Sequence, residues 1–295
     1  MTATTHADRL RSRPTLRLPS TSVTDPTAEV TSRLADTLSA LGNVVVAFSG
    51  GVDSSLLAHS ALAALGPDLV LAVTAESASL ASGELQHCRE LAAGWGLPWI
   101  SVRTQELDDP EYLVNGSDRC ACCKTALMDQ LIPIAAERDA TVVLGVNVDD
   151  LGDHRPGQLT AAQLGARFPL VEAGLTKADV RSAARHSGLS VWDRPAMPCL
   201  SSRIPYGTPV SVSLLGRLDR AELAVRALGF GDVRVRHHDD LTARVEVPIG
   251  DLVAAAERAD EIVTALDSLG YRYVTLDLAG LRSGNLNAAL SSTSA

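Results

Sequence analysis

Val44-Val45-Val46-Ala47-Phe48-Ser49-Gly50-Gly51-Val52-Asp53-Ser54-Ser55 is the stretch that decides the fold. Five apolar, partly β-branched residues read as a buried parallel strand, and Leu56, Leu57, Ala61, Ala64 and Leu65 then take up helical spacing. Two glycines flanked by serines separate the two. Glycine lets backbone approach a ligand closely, and the first N–H groups of the next helix are unpaired and partly positive. Such a turn binds phosphate. No lysine follows the glycines, so this is not a G-x-x-x-x-G-K-[ST] loop, and the G-x-G-x-x-G spacing of a dinucleotide turn is also missing. A tight turn with incidental hydroxyls is the competing reading, but strand, loop and helix all agree with the phosphate one.

Composition sets the outer limits. A chain of 295 residues can bury one large core, or one large and one small. With 46% hydrophobic and only 3% aromatic residues, that core is built from Leu, Val and Ala. A net charge of −9 excludes a general nucleic-acid binder, which needs a basic face. No apolar run approaches the ~20 residues needed to span a membrane. Met1–Asp25 is rich in Thr, Ser, Arg and Pro without a hydrophobic run, which reads as a disordered tail over residues 1–26 and not as a secretory signal. Lysine occurs only at Lys124 and Lys177, all other basic residues being arginine. Two retained lysines hint at sites that need a compact ammonium charge.

Taken in order, strands at Leu69–Thr74, Trp99–Val102 and Thr141–Val146 alternate with helices at Ser82–Gly94, Thr125–Arg138 and Lys177–His186, the last N-capped by Thr176 and closed by Gly188. The fold class is therefore α/β: a doubly wound, mainly parallel sheet over residues 27–195, with its ligand at the carboxyl ends of the strands. Loops after Phe48, Thr74 and Val146 should converge there. Pro195, Pro198 and Pro205 make 196–209 an irregular connecting loop. A smaller α+β domain follows over 210–287, with helices Ser213–Leu228 and Asp251–Leu269 and strands Val233–His237, Ala243–Val247 and Tyr271–Leu276; 288–295 is a tail.

Five cysteines, an odd number in an acidic chain without a signal, imply reduced thiols and a cytoplasmic location. Cys88 lies on an apolar helix face and reads as core. Cys120, Cys122 and Cys123 stand beside Arg119 and Lys124, cations that favour thiolate. Cys120 and Cys123 have a chelate gap, but no second pair matches them, so a closed zinc site is weakly supported. Cys199, on the Pro-rich connection, is a candidate nucleophile.

Ser49–Ser54 resembles the pyrophosphate (PP-loop) turn of ATP pyrophosphatases. Together with Arg119–Lys124, Asn147–Gly157, Pro169–Lys177, Trp192–Gly207, Arg234–His237 and Thr275–Leu278, it makes the chain similar, from about Thr27 to Asn287, to the ATP-dependent sacrificial sulfur transferases that help make the nickel-pincer cofactor of lactate racemase. Cys122 and the turn His237-His238-Asp239-Asp240 depart from the family pattern. The resemblance implies a small-molecule substrate, a pyridinium dicarboxylate mononucleotide whose carboxylate is adenylated by ATP and then converted to a thiocarboxylate. It implies ATP at Ser49, Gly50, Gly51, Asp53, Ser54 and Thr74, with magnesium on Asp53 and Asp150. Catalytic roles fall to Cys199, Arg203 and Glu222, and substrate contacts to Ser202, Arg203, Arg234 and Arg236. For Arg234 and Arg236 an exposed strand face, and for Glu222 a helix surface charge, are the plainer readings. One branch of the family takes sulfur from the cysteine matching Cys199; the other holds a 4Fe–4S cluster on three cysteines. Cys120, Cys123 and Cys199 make the chain resemble the second.

No membrane partner and no general nucleic-acid partner are expected, and a homo-oligomer is. A tRNA thiolase would need a basic RNA-binding surface, and an amidotransferase an ammonia source. The sequence offers neither. A nucleotide-binding regulatory module without chemistry remains the alternative from another class.

Overall fold

A computed structural model describes residues 26–152 and 156–282; the expected tails at 1–26 and 288–295 lie outside them except for Pro26, which opens the first helix. The chain runs α1 (Pro26–Leu41), β1 (Val44–Ala47), α2 (Val52–Leu65), β2 (Val70–Glu76), α3 (Glu84–Trp95), β3 (Trp99–Arg103), α4 (Pro110–Val114), α5 (Arg119–Glu137) and β4 (Thr141–Leu144). It continues with α6 (Pro156–Gln163), α7 (Pro169–Glu172), α8 (Lys177–His186) and α9 (Val212–Ala227). Last come β5 (Arg234–His237), β6 (Thr242–Glu246), α10 (Leu252–Glu257), α11 (Ala259–Asp267) and β7 (Tyr273–Leu276).

The first four strands form a parallel sheet in the order β3-β2-β1-β4. Alternation along β1 explains how both faces are covered. Val44 and Val46 pack with Leu34, Leu56, Leu57 and Val180 of α1, α2 and α8. Val45, between them, packs with Met128, Leu131 and Ala161 of α5 and α6. All three valines are fully buried. Period-2 alternation of an all-apolar run thus feeds two helical layers, the doubly wound α/β arrangement expected.

The second sheet joins β5 to β6 antiparallel and β6 to β7 parallel. Val235, Ala243 and Val245 face α9 and α11 in a separate apolar cluster with Ile262, Leu266 and Tyr271. Arg234, Arg236 and Glu246 occupy the opposite side and are buried as well. Between the sheets, the connection 196–209 has its own apolar cluster, where Leu200 and Ile204 meet Tyr112, Leu215 and Leu218.

Three departures from the sequence reading matter. The helix expected to start at Thr125 starts at Arg119, so the thiol motif is its first turn and not a loop. The single helix expected over Asp251–Leu269 breaks at Arg258, whose backbone leaves helical geometry at φ −104°, ψ 24°. α1, unread from the sequence, buries Leu34 and Leu38 against the first sheet.

Gly145, just after β4, brings that strand end against the start of α2. A Cβ there would lie 2.7 Å from the Ser54 nitrogen and 2.8 Å from the Asp53 carbonyl carbon, both backbone atoms unable to swing away. Gly145→Ala is expected to cost about 1–3 kcal/mol, read as a lower urea midpoint, with the phosphate turn displaced.

Candidate active site

The turn between β1 and α2 is shaped by its own hydroxyls. Ser54 Oγ donates to the Gly51 carbonyl at 3.1 Å and accepts from the Ser49 N–H at 3.2 Å. Gly50 adopts φ 69°, with Cys88 Sγ and His87 Cδ2 both 3.0 Å from where a Cβ would sit, so only glycine fits. Gly51 is the N-cap of α2 and has no side chain to occupy the helix's first N–H groups. A cavity of about 410 Å³ opens in front of the turn, at the carboxyl ends of the strands. Ser49, Gly51, Asp53, Ser54 and Thr74 line it, as expected; Gly50 faces away. Thr74 is tied down, its hydroxyl donating to the Phe48 carbonyl at 2.7 Å and accepting from Trp99 Nε1 at 2.8 Å.

Asp53 and Asp150 meet through a residue the sequence reading passed over. Asn147 Nδ2 donates to Asp53 Oδ1 at 2.9 Å, and the Asn147 N–H to Asp150 Oδ2 at 3.2 Å. Asp53 Oδ2 accepts from Lys177 Nζ at 2.5 Å. The scarcity of lysine did carry information, because Lys177 holds the phosphate turn's aspartate and Lys124 lines the cavity. The two carboxylates supply the hard oxygen donors that a magnesium ion arriving with ATP would take.

Cys199 lines the same cavity, at the start of a short turn, Leu200–Arg203. Within that turn the Ser202 N–H donates to the Cys199 carbonyl and the Ile204 N–H to that of Ser201, and guanidinium groups bind the loop's carbonyls besides. Arg203 donates to the Pro198 carbonyl at 2.7 Å and the Cys199 carbonyl at 3.2 Å. Arg119 donates to the Ser201 carbonyl at 2.8 Å, Arg236 to that of Ser202 at 2.9 Å, and Arg234 to that of Ala196 at 3.3 Å. Tyr112 OH and Ser201 Oγ lie 2.7 Å apart beneath the turn.

Arg203 and Glu222, expected in catalytic roles, lie behind the Cys199 loop. Arg203 is 1% exposed and Glu222 fully buried, paired at 2.7 Å, and neither lines the cavity. Glu222 also accepts from Arg226 at 2.8 Å and from the Val235 N–H at 3.2 Å. Ser202 is likewise engaged within the loop, donating to the Cys199 carbonyl and accepting from Arg203. Arg236 pairs with Glu246 at 2.5 Å. Arg234 differs: its partners are the carbonyls of Ala196 and Arg282, and no carboxylate is within ion-pair distance among the described residues. Burial, with Arg203 and Arg236 close by, pulls its pKa down.

The thiols are protonated more firmly than the neighbouring cations suggested. Burial pushes Cys123 up to about 12, helped by the nearby Cys199 and Glu106, and outweighs Lys124. Burial, then Cys199, raises Cys120 against Arg119 and Lys124. Arg119 is itself buried, and its guanidinium is held by Asn115 and Ser201. Cys122 and Cys88 are raised by burial to about 11. Cys120, Cys123 and Cys199 are therefore near enough to feel one another's charge. Yet among the described residues no three His, Cys, Asp or Glu side chains come close enough to hold a metal ion. The donor chemistry suits an iron–sulfur cluster, but the spacing does not, so the expected 4Fe–4S site is not supported by this arrangement. Nor is any described helix long and apolar enough to cross a membrane.

Comparison with known proteins agrees with these features. Residues 25–110, which contain the phosphate turn, match the NAD synthase family. The chain is 40% identical over 261 residues to the pyridinium-3,5-bisthiocarboxylic acid mononucleotide synthase of Lactiplantibacillus plantarum, covering 87% of this chain and 93% of that one. It is 42% identical over 253 residues to an uncharacterized protein of Synechocystis sp., covering 85% and 94% respectively. An uncharacterized protein of Methanocaldococcus jannaschii is 24% identical over 241 residues, covering 81% and 91%.

The raised thiols make a prediction for stability. Cys88 and Cys123 hold their protons in the folded chain to higher pH than in the unfolded one. Their contribution is therefore complete below the ordinary thiol value and is lost as pH rises from there toward 11–12. The urea midpoint should fall between about pH 8 and about pH 11, and fall less in Cys88→Ala.

Proposed function

Because the chain belongs to the family of the pyridinium-3,5-bisthiocarboxylic acid mononucleotide synthases, ATP-dependent sulfur transferases, we propose that it makes a thiocarboxylate on a pyridinium dicarboxylate mononucleotide. A substrate carboxylate oxygen attacks the α-phosphorus of ATP, and the bond to the β-phosphate breaks. Pyrophosphate departs into the Ser49–Ser54 turn, whose N–H groups stabilise the developing charge. Lys124 supplies an ammonium group at the same cavity, Lys177 holds Asp53, and Asp53 and Asp150 would hold the magnesium that arrives with ATP. The sulfur of Cys199 then attacks the acyl carbon and AMP leaves. Loss of a proton from the Cys199 α-carbon breaks its Cβ–S bond, leaving thiocarboxylate and dehydroalanine.

One observation carries this reading: Cys199 and the phosphate turn line a single cavity. Arg234, buried without a carboxylate partner, is the residue we assign to an anionic group of the substrate. Arg203 and Glu222 act as supports of the Cys199 loop.

A second reading, in which Cys120, Cys123 and Cys199 hold a cluster, is favoured by the mutual influence of the three thiols. It requires them to draw closer than they lie here, and no step is derived from it.

Single turnover with ATP and the pyridinium dicarboxylate mononucleotide should yield AMP and pyrophosphate, and Cys199 should lose the mass of hydrogen sulfide. ADP with inorganic phosphate would contradict the adenylation step. Iron in anaerobically prepared protein, with Cys199 unchanged in mass after turnover, would replace the Cys199 route by the cluster route.

A further inference from the structure

Among the described residues three carboxylates line the cavity, and two are neutralised. Asp53 holds Lys177 at 2.5 Å, and Glu84 holds Arg194 at 2.7 Å. Glu106 is the third. It is 2% exposed, reached from the short turn after β3, and forms no ion pair among the described residues. Its Oε1 accepts from Ser79 Oγ at 3.4 Å, while its Oε2 is buried with no hydrogen-bond partner among the described residues. Leaving a buried carboxylate oxygen unpaired costs more than a typical hydrogen bond contributes, so such a group is rare without a use.

Its surroundings indicate the use. Ser79, the residue that Glu106 accepts from, takes the Leu200 N–H on its carbonyl at 2.8 Å, one residue beyond Cys199. Cys123 and Cys199 share the cavity wall with Glu106, and its charge is among the causes that hold Cys123 protonated. Among the described residues Glu106 is thus the cavity's one carboxylate without a cation, on the side where the thiols lie. A thiol attacking an acyl adenylate must give up its proton, and a carboxylate engaged by lysine or arginine is a poor acceptor.

We propose that Glu106 is the catalytic base of the sulfur step. This rests on the adenylation and sulfur-transfer reading above. As the Cys199 sulfur forms its bond to the acyl carbon, the thiol proton passes to Glu106 Oε2. The bond from acyl carbon to AMP oxygen breaks, and AMP leaves with the electron pair. No oxidant or reductant is required.

Glu106→Gln and Glu106→Ala separate this role from others. Both are compared with wild type in single turnover, reading pyrophosphate and thiocarboxylate separately. Pyrophosphate release should stay within about threefold of wild type, while thiocarboxylate formation falls by about 10²–10⁴, the usual contribution of a positioned base. Added formate should restore part of the loss in Glu106→Ala, which leaves room for it, and none in Glu106→Gln. Unchanged thiocarboxylate formation would overturn the proposal, as would no rescue by formate. A parallel fall in pyrophosphate release would also overturn it, assigning Glu106 to ATP or substrate binding. Wild-type protein that releases no pyrophosphate would instead sink the adenylation reading itself, before any variant is considered.

Discussion

Between Ala196 and Ser202 the chain makes only one short turn, in which the Ser202 and Ile204 N–H groups reach the carbonyls of Cys199 and Ser201, and arginines bind the segment's carbonyls along its length. Arg234, Arg203, Arg119 and Arg236 reach the carbonyls of Ala196, Pro198, Cys199, Ser201 and Ser202. A proline-rich segment favours this solution, since it cannot form a regular ladder. The guanidinium is suited to it: planar, always charged, and able to serve several acceptors in fixed directions, as a lysine could not. Arg203 does most, holding two carbonyls, the Ser202 hydroxyl and Glu222 together while 1% exposed. Losing one partner of such a buried pair costs about 3–5 kcal/mol, because the other charge is left uncompensated.

The clamp explains how two sheets share one site. Arg203 and Glu222 link the Cys199 turn to α9 and, through the Val235 N–H, to β5. Arg119 links it to α5 of the first unit. At its upstream end, Arg194 donates to the Gly50 carbonyl at 3.3 Å and to Glu84 at 2.7 Å, so the segment leading to Cys199 touches the phosphate turn itself. The phosphate turn at the sheet edge and Cys199 at the junction are thereby held at a fixed separation, as the proposed adenylation and sulfur steps require. That separation matters, since misplacing reacting groups by an ångström can cost two orders of magnitude in rate.

Much of this was legible in the sequence, for identifiable reasons. A valine-rich strand running into glycine and serine admits few structures, and Thr176 forms the full capping box with Asp179 at the start of α8. Period-2 alternation put Arg234 and Arg236 on one face correctly. What alternation could not reveal is what that face meets: the chain's own carbonyls and Glu246. The helix was expected to start only at Thr125, which left the thiol motif on a loop, yet it already begins at Arg119. Cations beside the thiols suggested thiolate; burial, invisible to local sequence, outweighed them. Glu106 and Asn147 carried no local signal, because each becomes significant only through residues far along the chain.

The central claim is that the arginine-held loop places Cys199 for the sulfur step while leaving adenylation to the phosphate turn. Arg203→Lys tests it directly, keeping a charge beside Glu222 but removing the fork that holds the Pro198 and Cys199 carbonyls. In single turnover, pyrophosphate release should stay within about tenfold of wild type while thiocarboxylate formation falls by about a hundredfold, the scale of an ångström's displacement. Equal loss of both, or unchanged thiocarboxylate formation, would contradict the account.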